Sequence, residues 1–120
     1  MTNNKRKLEV DQILDWFQSG EKLRENWLIG TEHEKFLFKK NNYQRLKYKE
    51  KFGIKAILDE ISIDKSWAKV FEKDFLIALK HFSGASISLE PGGQFELSGA
   101  PLKNLHQTCN EAGKHLDLMK

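Results

Sequence analysis

At 120 residues the chain is long enough for one modest domain, but short for an enzyme that must enclose several substrates. With 39% apolar and 31% charged residues it reads as a folded globular protein. It has no run long and apolar enough for a membrane helix, and its net charge of +3 is too slight to argue for nucleic acid by itself. The single cysteine, Cys109, excludes an internal disulfide framework and points to a reducing compartment, for which we expect the cytoplasm.

The start, MTNNKRKLEV, is basic but has no apolar stretch behind it, so it is not a secretory signal. Val10, Ile13, Leu14 and Phe17 then fall on one face of an amphipathic helix, with Gly20 placed to stop it. A polar stretch leads to a first strand expected over Trp27 to Phe38, in which Gly30 marks a bulge or close approach. From Tyr43 to Ile61 the spacing of Leu46, Ile54, Ile57, Leu58 and Ile61 predicts a second helix, weakened by Gly53. Strands follow at Ser66 to Phe71, Phe75 to Phe82 and from Ala85 to Glu90, with turns at Glu72-Lys73-Asp74 and Ser83-Gly84. A last helix runs from about Leu102 to the end and aligns Leu105, Cys109 and Ala112, which predicts a buried Cys109. Consecutive hairpin-linked strands with helices to one side give an α+β fold built on an antiparallel sheet.

The chemistry lies in two acidic motifs. In IGTEHEKF (Ile29 to Phe36), Glu32 and Glu34 share one face of a strand, while Thr31, His33 and Lys35 take the other. Like charges about 6.6 Å apart along a face call for a cation, and hard divalent ions such as Mg²⁺ favour such oxygen ligands. A solvated strand face is the plainer alternative. In ISLEPGGQFELSG (Ile87 to Gly99), Glu90 and Glu96 flank a Pro-Gly-Gly break that re-aims the side chains around it, and Gln94 adds an amide able to donate to a carboxylate or phosphoryl oxygen. A decorated hairpin is the alternative there. The basic run Lys39, Lys40, Arg45, Lys47, Lys49, Lys51 and Lys55, with Tyr43, Tyr48 and Phe52 between, suits either a solvated face or a small nucleic-acid-binding module. His33, His81, His106 and His115 have no zinc-type spacing.

IGTEHEKF and the long string ISLEPGGQFELSGAPLKNLHQTCNE closely resemble the N-terminal signatures of the glutamate–cysteine ligases, in the branch shared by plants and many proteobacteria. The resemblance implies a ligase that joins the γ-carboxylate of glutamate to the amine of cysteine. It would use ATP and Mg²⁺ and pass through an acyl phosphate, as the first step of glutathione synthesis. It implies a curved antiparallel sheet like that of the glutamine synthetase catalytic domain, with Glu32, Glu34, Glu90 and Glu96 on the acidic metal-site positions. Gln94 would contact substrate or phosphate, and Cys109 would pair with a cysteine beyond this chain in redox control. A related ligase using another amine fits the same motifs. Because family members are several times longer, residues 1–120 are expected to be the N-terminal part of one catalytic domain. They would be inactive alone and leave an apolar sheet face bare.

Overall fold

The computed structural model describes residues 7–120; the basic start read above falls partly in residues 1–6, outside the described residues. Helix α1 (Val10–Ser19) is followed by strand β1 (Glu32–Lys35), helix α2 (Ile54–Ile61) and strands β2 (Trp67–Glu72), β3 (Phe75–His81), β4 (Ser86–Glu90) and β5 (Gln94–Ser98). Helix α3 (Leu105–Leu118) completes the described elements. The strands form one antiparallel sheet in the order β1-β5-β4-β3-β2. The expected α+β class holds, with α2 and α3 on one side of the sheet.

Directly paired residues in an antiparallel sheet share a face, so the register sorts the side chains. One face carries Phe95, Leu97, Ile87 and Leu79, all essentially buried, with His33 and Lys35 at the β1 end. An extra residue in β3, where pairing steps from Val70↔Ala78 to Phe71↔Leu76, returns Leu76 to this same face. Ile54, Leu58 and Ile61 of α2, spaced i, i+4 and i+7, close over it and complete the core. Each of these side chains contributes about 1.5–3 kcal/mol by leaving water. Asp59 then ties α2 to the sheet, accepting from Lys55 and from Lys69 of β2 at 2.6 Å each; the two ammonium groups hold its carboxyl below the usual carboxylate range.

Two elements differ from the sequence reading in extent. β1 has four residues rather than the twelve expected, with single bridges Ile29↔Leu102 and Phe38↔Arg45 beyond it. Its partner sets the limit, because β5 is bounded by the Pro-Gly-Gly turn at one end and Gly99 at the other. The close approach also lies at Gly99 rather than Gly30: a Cβ at Gly99 would sit 2.3 Å from Glu111 Oε2 and 3.0 Å from Thr31 O. The helix expected from Tyr43 begins only at Ile54. Before it the chain doubles back, with Lys39 N–H bonded to Gln44 O at 2.8 Å and Leu46 N–H to Leu37 O at 3.1 Å. Tyr43 takes a positive φ of 55° in that turn, incompatible with a continuous helix. Gly53 is the N-cap of α2, and its amide bonds Glu50 O at 3.0 Å.

The face of α3 that meets the sheet is also not the predicted one. Thr108 and His115 are buried, whereas Leu105 is 66% exposed and Cys109 is exposed. The reason lies in the sheet, which offers His33 and Lys35 at this end, so the helix turns its polar side inward. Lys35 Nζ lies 2.6 Å from His115 Nε2. With the ammonium donating, Nε2 accepts and the ring proton sits on Nδ1, a buried atom with no partner among the described residues. Burial, with Lys35 and His33 adding to it, pulls the His115 pKa from 6.5 down to about 4.

The polypeptide is not compact. Its radius of gyration is 19.1 Å, against about 14 Å for a close-packed chain of this length. Helix α1 buries none of its residues, and Leu14, Trp16, Phe17, Leu23 and Trp27 are exposed. Much of the bare apolar surface therefore lies on α1 and the segment after it. The sheet face expected to be bare and apolar is instead polar.

Two predictions follow from this packing. A Cβ at position 53 would stand 2.1 Å from Lys47 O, a backbone atom, so Gly53→Ala should lower stability by about 1–3 kcal/mol, read from urea unfolding. His115 stays neutral in the folded chain while the unfolded histidine binds a proton below its ordinary 6.5. Stability should therefore fall as pH drops from 6.5 to 4, by up to about 1.4 kcal/mol per pH unit, with no further loss from this group below that. His115→Gln should flatten that segment of the pH–stability curve.

Candidate acidic site on the open sheet face

The other face of the sheet faces away from both packed helices. Glu34 pairs with Glu96, Glu32 with Ser98, Glu96 with Ser88 and Glu90 with Gln94, so all seven side chains project to this side. The two motifs, more than fifty residues apart in sequence, thus meet on one surface. Their alternation places the core residues Phe95 and Leu97 directly behind the acids, on a layer that α2 and α3 hold rigid.

The Pro-Gly-Gly break makes this possible. Gly92 and Gly93 both take a φ of +78°, which costs little only without a side chain. They turn the chain tightly enough for Glu90 at the end of β4 to face Gln94 at the start of β5. Arg45, from the basic run, donates through Nη2 to Gly92 O and lies 4.7 Å over the Phe36 ring, so it clasps the turn.

Neutral donors orient three of the four carboxylates. Gln94 Nε2 donates to Glu34 Oε2 at 3.0 Å, Ser88 Oγ to Glu90 Oε1 at 2.8 Å, and Ser98 Oγ to Glu96 Oε1 at 2.7 Å. In each case one oxygen is held and the other has no protein donor among the described residues. The serines were not singled out from sequence, although their two-residue spacing from the acids (SxE and ExS) was there to be read. Among the described residues, the salt bridges join Lys39 to Glu50, Lys55 and Lys69 to Asp59, and Lys120 to Asp117. None reaches the acids of this face, which therefore carries four carboxylates without a cationic partner among the described residues.

That donor set fits a hard divalent cation. No group of three or more His, Cys, Asp or Glu side chains among the described residues is gathered closely enough to cage an ion. Mg²⁺, however, is usually bound through one or two carboxylates, with water and substrate phosphates completing the octahedron. Facing pairs such as Glu34 and Glu96 match that need.

The remaining candidates separate from this surface. Cys109 is exposed on α3, on the other side of the sheet, without a partner cysteine in the chain. A cleft of about 530 Å³ beside α3, lined by Trp67, His81, Leu97, Glu111 and His115 among others, also lies on the helix side. The basic run does not form one helical stripe. Lys39 is bound to Glu50 at 2.6 Å, Lys55 to Asp59, and Lys49 lies over the Phe75 ring. Its charges are partly neutralised and dispersed, which does not favour the nucleic-acid reading.

Comparison with known proteins agrees with the family resemblance read from the sequence. The family model for glutamate-cysteine ligase family 2 matches residues 28–120. The chain is 48% identical over 113 residues to the chloroplastic glutamate–cysteine ligase of Medicago truncatula, 49% to that of Brassica juncea and 47% to that of Arabidopsis thaliana. Each alignment covers 94% of the chain but only 21–22% of the relative, so the chain spans about a fifth of the length of these curated relatives.

Proposed function

The chain belongs to glutamate-cysteine ligase family 2, and from that membership we propose that it supplies the acidic floor of an ATP-dependent ligase joining the γ-carboxylate of glutamate to the amine of cysteine. This would be the committed entry to glutathione biosynthesis. The observation that carries the reading is the open sheet face, where four glutamates, three of them oriented by neutral donors, are left without a cationic partner among the described residues.

In the proposed reaction, the γ-carboxylate oxygen of glutamate attacks the terminal phosphorus of ATP. The bond to ADP breaks and an acyl phosphate forms. The cysteine amine then attacks the acyl carbon, the carbon–oxygen bond breaks with its electron pair on phosphate, and the nitrogen sheds a proton. Every partner in the first step is an anion, so the approach is repulsive unless charge is neutralised. Mg²⁺ held by Glu32, Glu34, Glu90 and Glu96 would supply that neutralisation. The chain's own part is to fix those carboxylates on a rigid sheet, with Ser88 and Ser98 aiming two of them and Gln94 bridging to Glu34. The Gln94 amide has a second N–H available for a substrate oxygen.

We further propose that residues 1–120 form the N-terminal part of one catalytic domain of the glutamine synthetase type. The extent of the relatives and the one-sided covering of the antiparallel sheet support this. On this reading they lack much of the substrate pocket and are inactive alone. The matched relatives are named as chloroplastic proteins. That broadens the cytoplasmic expectation to any reducing compartment, since a lone thiol suits both. No helix among the described residues is long and apolar enough to cross a membrane.

The test uses the full-length protein and the Glu96→Gln variant, which keeps shape and hydrogen bonding and loses the charge. Formation of γ-glutamylcysteine should fall by about 10²-fold or more in the variant, with part of the loss recovered as Mg²⁺ is raised. The unfolding temperature should hardly change. Unchanged turnover with an unchanged Mg²⁺ response would remove Glu96 from the metal site.

A further inference from the structure

Lys35 lies on the helix side of the sheet, yet its ammonium is bound to the backbone that carries the acids. Nζ donates to His33 O at 2.9 Å and, at a longer 3.4 Å, to Phe95 O; it meets His115 Nε2 at 2.6 Å. His33 and Lys35 bracket Glu34 on β1, and Phe95 immediately precedes Glu96 on β5. One cation therefore joins the two strands at the backbone behind the facing pair Glu34 and Glu96, and joins both to α3.

This link matters because of where β1 sits. It is four residues long and forms the edge of the sheet, with β5 as its only strand neighbour among the described residues. A strand that short is weakly fixed by its own ladder, whereas the acid it carries must keep its spacing from Glu96. A lysine drawn out of bulk water costs free energy unless it is well partnered. Here the partners are two carbonyls and a buried imidazole. That imidazole belongs to α3, which is anchored independently by the bond from Ala100 N–H to Glu111 Oε1 at 2.9 Å.

We propose that Lys35, held by His115, is a positioning residue for the acid face: it sets the spacing of Glu34 from Glu96 and so the affinity with which that face takes a divalent cation. The inference rests on the cation-binding reading given under Proposed function. Lys35 itself touches neither substrate nor cation, since its side chain leaves the strand on the opposite side.

The experiment titrates the full-length protein with Mn²⁺ alone, reading bound ion by its paramagnetic resonance signal. Lys35→Met and His115→Leu should each weaken Mn²⁺ binding by about 10–100-fold, the range expected when a group that orients metal ligands is lost. His115→Gln, whose amide oxygen can still accept from Lys35, should stay within about threefold of wild type on the same scale. Ile87→Val, which trims the same core without touching this contact, serves as the measure of plain destabilisation. Lys35→Met binding as tightly as wild type would overturn the inference, as would an equal loss in Ile87→Val. Should Lys35→Met fail to fold, the His115 pair decides: equal affinity of the Leu and Gln variants overturns it. Wild-type protein that takes up no Mn²⁺ would overturn the cation reading and this inference with it, whereas intact wild-type binding isolates the role of Lys35.

Discussion

Side chains along β5 alternate without a break, Gln94, Glu96 and Ser98 to one side and Phe95 and Leu97 to the other. Phe95 is fully buried against the layer that α2 covers, while Glu96 stands on the open face. A slip of one residue against β4 would drive a carboxylate into the apolar layer and expose a phenylalanine. Burying an unpaired charge costs far more than any single strand hydrogen bond returns. The apolar core therefore fixes the register of the acids, and the strand that builds one surface is locked by the needs of the other. β1 and β4 inherit that register by pairing with β5 on either side.

The open face brings like charges together, which is unfavourable for the fold taken alone. Serine hydroxyls and the Gln94 amide lessen this by donating to the carboxylates, but they carry no positive charge to cancel the repulsion. Lysines are abundant in the chain, yet the short ion pairs involve Glu50, Asp59 and Asp117, acids that lie outside this surface. Charge is neutralised where the chain needs structural ties and left standing where an incoming cation would be met.

The acid face was legible in sequence because a two-residue period needs no tertiary information: TEHE and the residues around Glu96 declare their sides as soon as they are read as strands. Pro-Gly-Gly was legible as a break that re-aims the chain, but the structure makes it the hairpin turn between β4 and β5, the alternative reading, rather than a bulge within one strand. The helix expected from Tyr43 to Ile61 was different. Its apolar spacing is shared by the true helix from Ile54 and by a looped segment whose Leu46 and Tyr48 pack on the core from outside a helix. The inner face of α3 was misjudged because apolar periodicity finds the buried side of a helix only when the surface below is apolar. Here the sheet presents Lys35 and His33, and the helix answers with Thr108 and His115 instead of Leu105 and Cys109. No local signal announces a pairing between residues 80 positions apart.

Helix α1 stands apart from all of this. It has ten residues and a capping box between Glu9 and Gln12, but no side chain buried against the sheet. A helix of that length has little intrinsic stability in water, since nucleation is costly and few bonds repay it. Its backbone amides should therefore open by fraying within the helix and exchange their hydrogens for deuterium quickly. Those of β4 and β5, flanked by strands on both edges, should exchange only when the whole sheet comes apart. The polypeptide thus holds two tiers of opening energy, one set by a local coil transition and the other by global unfolding.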